Sequence, residues 1–188
     1  KSARAGSARN VTPGLQEATL SSPAVRREAP KRHVESEVSS EPYKQASFVP
    51  GNASMPPHEV PLGSMAHTVA RIIEIEGPIH EEEIVARVRD LWNLGRAGSR
   101  VQSAVQDALR HAVRKDSLLI EDHCYLLAGS MVKVRDRSEA ESRTLRKPEL
   151  LPPQEIREAI IQLVRDAHGA RRTEVATAVA RMFGFQAT

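Results

Sequence analysis

Aromatic side chains are scarce: one Trp, two Tyr and three Phe make up 3% of 188 residues. So few rings give no platform for stacking bases, and any core must be packed from Ile, Leu, Val and Ala. Trp92 is expected to be a core anchor. Cys124 stands alone, which excludes a disulfide framework and a Cys-x-x-Cys metal site and fits a reducing, cytoplasmic setting. No apolar run approaches the roughly 20 residues of a membrane span, and the first residues lack a signal-peptide core. No membrane contact is expected. The net charge is only +3, which permits nucleic-acid contact without arguing for it. The chain begins at Lys1, as expected of a processed product or a piece of something longer.

Catalytic motifs are missing too. The stretch Leu91 to Val105, "LWNLGRAGSRVQSAV", has the glycines of a phosphate cradle but not the GxxxxGK[ST] spacing. It also follows a helical pattern where such a loop follows a strand. An anion can still sit at the start of the helix after Ser99, where N–H groups are free. "HEEEI" from His80 lacks the second histidine four residues on that a zinc site needs. His123 beside Cys124 has no further ligands near it and reads as a turn and a buried thiol. No Ser, His and Asp gather in one motif, and the carboxylates read as lying on solvated helix faces. No catalytic residue, metal, cofactor or small-molecule substrate is expected.

What is present is helical periodicity after an unpatterned start. Residues 1–60 are rich in Ser, Ala, Pro and mixed charge and predict a disordered linker. Residues 61–128 predict a winged-helix-like domain. Met65, Val69, Ile72 and Ile73 recur at helical spacing up to Gly77-Pro78, and "PIH" is a bridging strand. Ile84, Val85, Val88, Leu91 and Trp92 mark a second helix that opens on Glu81, Glu82 and Glu83. The clearest stripe is Val101, Ala104, Val105, Ala108, Leu109, Ala112 and Val113, with Ser99 and Gln102 as a capping-box pair. "SLLI-EDH-CYLL" predicts a β-hairpin. Helix, short strand, helix, helix, hairpin is winged-helix order, and the loop quoted above becomes a helix-to-helix connection.

Residues 129–150 form a charged connector, in which "VKVRDRS" can add an edge strand. Residues 151–188 predict a helical hairpin, with Pro153 in the first turn of one helix and Gly169 at its end. The fold class is mainly α with a small β-hairpin. The tail echoes the first module: at a shift of 91, Ile84, Val88, Leu91 and Trp92 fall on Val175, Val179, Met182 and Phe183. At a shift of 92, Val69, Ile72 and Gly77 fall on Ile161, Val164 and Gly169. On that reading the second copy is truncated before its third helix.

The third helix carries the one surface that suggests a function. Arg100, Ser103, Asp107, Arg110 and Arg114 lie along the side opposite its apolar stripe, with Arg96 before the helix and Lys115 at its end. Arginines so placed can bond guanine edges or phosphates. Arg96, Arg100, Ser103, Arg110, Arg114 and Lys115 are therefore the nucleic-acid-binding candidates. Lys133, Arg135 and Arg137 form a weaker cluster of the same kind.

"IEGPIHEEEIVARVRDLWNLGRAGSRVQSAV", "VKVRDRS" and "PELLPPQEIREAIIQLV" together resemble the uncharacterised C-terminal domain of large bacterial superfamily I DNA helicase-related proteins. The resemblance runs over residues 65–185. In that family the domain follows ATPase motor domains and often a restriction-endonuclease-like domain. It implies a place in a larger chain, with other domains of that chain as neighbours. It implies no activity here, since neither Walker motif is present. Two readings follow: a non-catalytic module that engages DNA, or a module that docks another domain or a partner protein. Fold alone does not separate them.

Overall fold

The computed structural model describes residues 40–115, 117–167 and 172–186, and all of them fall in one unit. Its first segment corrects the sequence reading. Residues 40–60, expected to be disordered, lie packed on the helices, with Ala46, Pro50, Pro57 and Val60 buried. Residues 1–39 of the expected linker lie outside the described residues. The segment shows no periodicity because it makes little regular structure of its own. Glu41–Pro42 (β1) pairs in parallel with Arg135–Asp136. The Tyr43 N–H donates to the Asp136 carbonyl at 2.8 Å, and the Ala46 N–H donates to Glu76 Oε1 at 2.8 Å. Its backbone is satisfied by residues far along the chain, which no local pattern reveals.

Helix α1 (Leu62–Glu76) opens after Pro61 and ends at Gly77. A Cβ at Gly77 would run into the Ile73 carbonyl, to which the Gly77 N–H donates at 2.7 Å. Strand β2 (Ile79–His80) leads into α2 (Glu81–Leu91), whose N-cap is the imidazole of His80: Nδ1 accepts from the Glu82 N–H at 3.2 Å. Residues 92–98 connect α2 to α3 (Ser99–Arg114). The expected capping box does not form. Gly98 is the N-cap, with no side-chain bond, and Gln102 reaches back to the Ala97 carbonyl at 3.2 Å. Strands β3 (Leu118–Glu121) and β4 (Cys124–Leu127) form the predicted hairpin. Asp122 and His123 take φ of 48° and 59°, as a two-residue type I′ turn requires. β2 adds to β4, so the sheet has the order β2-β4-β3.

The first core is aliphatic, as the composition demands. Met65, Val69, Ile72 and Ile73 of α1 meet Ile84 and Val88 of α2, and Val101, Val105, Ala108, Leu109 and Ala112 of α3. Leu118 and Tyr125 of the hairpin close it. Burying one such Leu or Ile contributes about 1.5–3 kcal/mol. Trp92, expected inside, is only partly buried, because its Nε1–H reaches outward to the Met55 carbonyl at 2.8 Å.

Beyond β5 (Arg135–Asp136), helices α4 (Pro153–Ala167) and α5 (Arg172–Met182) build a second core from Val134, Ala159, Leu163, Val179, Met182 and Phe183. On α5 the residues matched by the expected repeat do face this core. On α4 they do not: Ile161 and Val164 are 42% and 55% exposed, whereas Val69 and Ile72 are fully buried. The apolar residues of α4 span a broad arc, and Glu155 selects which part turns inward. Glu155, Ala159 and Leu163, spaced four apart on one face, are the residues buried. Gly169, the expected end of the helix, lies outside the described residues. The chain is mainly helical with a few short strands, and among the described residues no helix is long and apolar enough to cross a membrane.

Candidate functional site

Two sets of charged side chains stand out, one buried and one exposed. The buried set was not legible as such: Glu76, Glu83, Arg87, Arg135, Arg137 and Glu155 are all inside. Its centre is Glu76 at the end of α1. Glu76 Oε2 accepts from Tyr43 Oη at 2.9 Å and from Arg87 Nη2 at 2.8 Å, and its Oε1 accepts from Arg87 Nε. Glu83 Oε2 lies 3.4 Å from Arg87 Nη2, and its Oε1 accepts from Thr144 Oγ1. Arg135 donates to the carbonyls of Glu76 and Pro78 and to Glu155, while Arg137 Nη2 lies 2.9 Å from Glu155 Oε2. The Tyr43 ring sits under both guanidinium groups, at 4.7 and 5.0 Å.

This corrects two expectations. The carboxylates that matter most are not on solvated faces, and Arg135 and Arg137 are not a basic surface cluster. Only Lys133 of that cluster is exposed, and it is paired with Glu41 at 3.0 Å. The cause is neutralisation: each buried charge has an opposite partner, without which its desolvation would cost several kcal/mol. Burial raises the Glu83 carboxyl above its ordinary range despite the attraction of Arg87. It raises the Tyr43 phenol as well, and the Glu76 carboxylate adds to that. Burial alone would lower the Arg87 guanidinium, but the hydrogen bonds to Glu76 raise it. The cavity beside Tyr43, Glu83, Arg137 and Thr144 has about 10 Å³ of free volume. That is the space of one water. Among the described residues no three His, Cys, Asp or Glu side chains are grouped to hold a metal ion.

The exposed set is the outer face of α3. Arg96, Arg100, Ser103, Arg110, Arg114 and Lys115 are all exposed. Positions 100, 103, 107, 110 and 114 follow the helical period, so the stripe runs about 21 Å along one side. From residue 96 to 115 there are five Lys or Arg and one carboxylate, Asp107. Asp107 Oδ1 takes Arg110 Nη2 at 2.6 Å. Arg96, Arg100, Arg114 and Lys115 form no ion pair with another described residue. The buried arginines are committed to the fold, whereas these four have no such ion pair among the described residues.

The hairpin beside α3 has another character. Its tip carries Glu121 and Asp122, and Leu119 and Ile120 are exposed. Glu121 holds Arg157 of α4 through two bonds of 2.6 Å. Of these two neighbouring elements, α3 and its flanks carry the cations and the hairpin tip carries the carboxylates.

A family model described as a protein of unknown function (DUF3320) matches residues 56–103. Those residues are thus similar to an uncharacterised domain. The match spans α1, β2, α2 and the start of α3, and so contains Arg96, Arg100 and Ser103 but not Arg110, Arg114 or Lys115. Neither the curated proteins nor the solved structures give a match.

Proposed function

We propose that residues 61–128 form a winged-helix-like module that binds nucleic acid, DNA in the first place, as a non-catalytic accessory part of a larger helicase-related protein. The observation that carries this reading is the row of exposed cations along α3 and its two ends, of which Arg96, Arg100, Arg114 and Lys115 form no ion pair with another described residue. Three helices and a three-stranded sheet in the order α1-β2-α2-α3-β3-β4 suit a winged helix, in which the third helix is the one that enters the major groove. The helicase link rests on the resemblance of "IEGPIHEEEIVARVRDLWNLGRAGSRVQSAV" and the two later motifs.

The test is duplex binding by fluorescence anisotropy at several low salt concentrations, for the wild type and for Arg100→Ala with Arg110→Ala. A lost phosphate contact lowers the salt slope by about one unit, and a lost base contact costs about 1–3 kcal/mol. A double variant that keeps both affinity and slope rules α3 out as the binding face.

The second reading, a docking module, is favoured by two apolar grooves of about 560 Å³ each. One lies between the hairpin and α4, where Leu119, Ile120, Val132 and Ile161 line it together with the Glu121–Arg157 pair. The other lies along α4 and α5, lined by Ile156, Ile160, Val175 and Phe185. Loss of α3 as the binding face gives this reading the lead.

A further inference from the structure

The α3 stripe is not uniformly cationic, and the exception sits in its middle. Arg100 stands at one end and Arg114 with Lys115 at the other, all without ion-pair partners among the described residues. Between them lies the pair Asp107–Arg110, half-exposed on both sides, with Nη2 2.6 Å from Oδ1. A free carboxylate on a surface that meets a polyanion weakens binding to every sequence alike. A carboxylate bonded to a guanidinium has a different effect. It cancels that arginine's attraction for phosphate and holds its planar fork in one direction, with the remaining N–H groups free.

We infer that the stripe is divided in function: Arg100, Arg114 and Lys115 grip phosphates, while Arg110, positioned by Asp107, reads a guanine edge, so that the bound duplex is one with a G·C pair at the centre of the contact. The inference rests on the nucleic-acid reading above. Guanine offers O6 and N7 as adjacent acceptors, the pattern a fixed guanidinium fork matches, and its partner cytosine offers an N4–H₂ donor to a carboxylate. The spacing agrees. The pair lies seven to ten residues after Arg100 and four to seven before Arg114, about 6–15 Å from either end. Phosphate contacts at the two ends would then straddle the bases at the centre.

The experiment uses the 188-residue chain and duplexes of equal length, one G·C-rich and one A·T-only, at fixed low salt. Far-UV circular dichroism confirms that each variant is folded. The wild type is expected to prefer the G·C-rich duplex. Arg110→Ala should abolish that preference, with a loss of about 5- to 150-fold on the G·C-rich duplex and little on the other. Asp107→Asn should tighten binding to both duplexes while narrowing the difference between them, a result that a merely structural surface pair would not give. Arg100→Ala should weaken both equally and lower the salt slope. Equal binding of both duplexes by the wild type overturns the inference, as does Arg110→Ala behaving like Arg100→Ala; either leaves the nucleic-acid reading standing. Absence of any salt-dependent binding overturns both.

Discussion

Single residues here are set by what surrounds them, and two make measurable cases. Cys124 is 1% exposed, and its thiol is pushed up to about 12 by burial first, then by the nearby carboxylates of Asp122, Glu155 and Glu121. The nucleophile is the thiolate, so at about pH 8 the native protein should react with a thiol reagent at least about 1,000-fold more slowly than unfolded chain. Rapid labelling of the native protein would contradict this placement. Glu83 is the second case. Its carboxyl is raised in the folded state, so the folded chain holds this proton more tightly than the unfolded one. The contribution is fully present below the ordinary carboxylate value and is lost as pH rises through the raised folded value. Denaturant titrations of wild type and Glu83→Gln at about pH 4.5 and about pH 8 check the sign. The stability of wild type relative to the variant should fall towards the higher pH; a rise would mean that Arg87, not burial, governs the group.

At the scale of elements, legibility followed whether a segment's partners are local. α3 could be read because its burial follows its own period: Val101, Val105, Ala108, Leu109 and Ala112 are inside, and the arginines are outside. Leu109→Ala in that stripe should cost about 2–5 kcal/mol in a denaturant titration, and a cost under about 1 kcal/mol would place the stripe elsewhere than in a packed core. The hairpin was legible from its two short apolar runs and the polar turn between them. The segment 40–60 was not, because Tyr43 and Ala46 answer to Glu76, thirty residues and more away. The same distance hid the buried charges. Arg135 looks like a surface cation until Glu155, twenty residues on, is folded against it. Of the α3 face, the exposed positions were legible from the helical period; the Asp107–Arg110 bond was not, because spacing alone does not say whether neighbouring charges pair. The α4 register was misread for a further reason. Its apolar arc is too broad to choose a face, and the choice is made by an ion pair.

For the whole molecule, the consequence of the buried network is cooperativity. The first core is built from α1, α2, α3 and the hairpin, and the second from α4 and α5 with Val134. What crosses between them is largely polar: Arg135 bonds the end of α1 and Glu155 of α4, and Arg137 reaches Glu155 and lies 5.2 Å from the Phe183 ring. Breaking one partner of a buried pair costs about 3–5 kcal/mol, because the charge left behind has no solvent. While the network is whole, neither core can open without stranding charges in the other. Urea unfolding followed by Trp92 fluorescence, which reports on the first core alone, should therefore coincide with unfolding followed by far-UV circular dichroism, which reports on α1 to α5 together. Glu155→Ala strands both Arg135 and Arg137, so in that variant the dichroism should begin to fall at lower urea than the fluorescence. Coincident curves in the variant, shifted together, would show that apolar contact rather than the ion network joins the two cores. Separate curves already in the wild type would show that nothing joins them strongly.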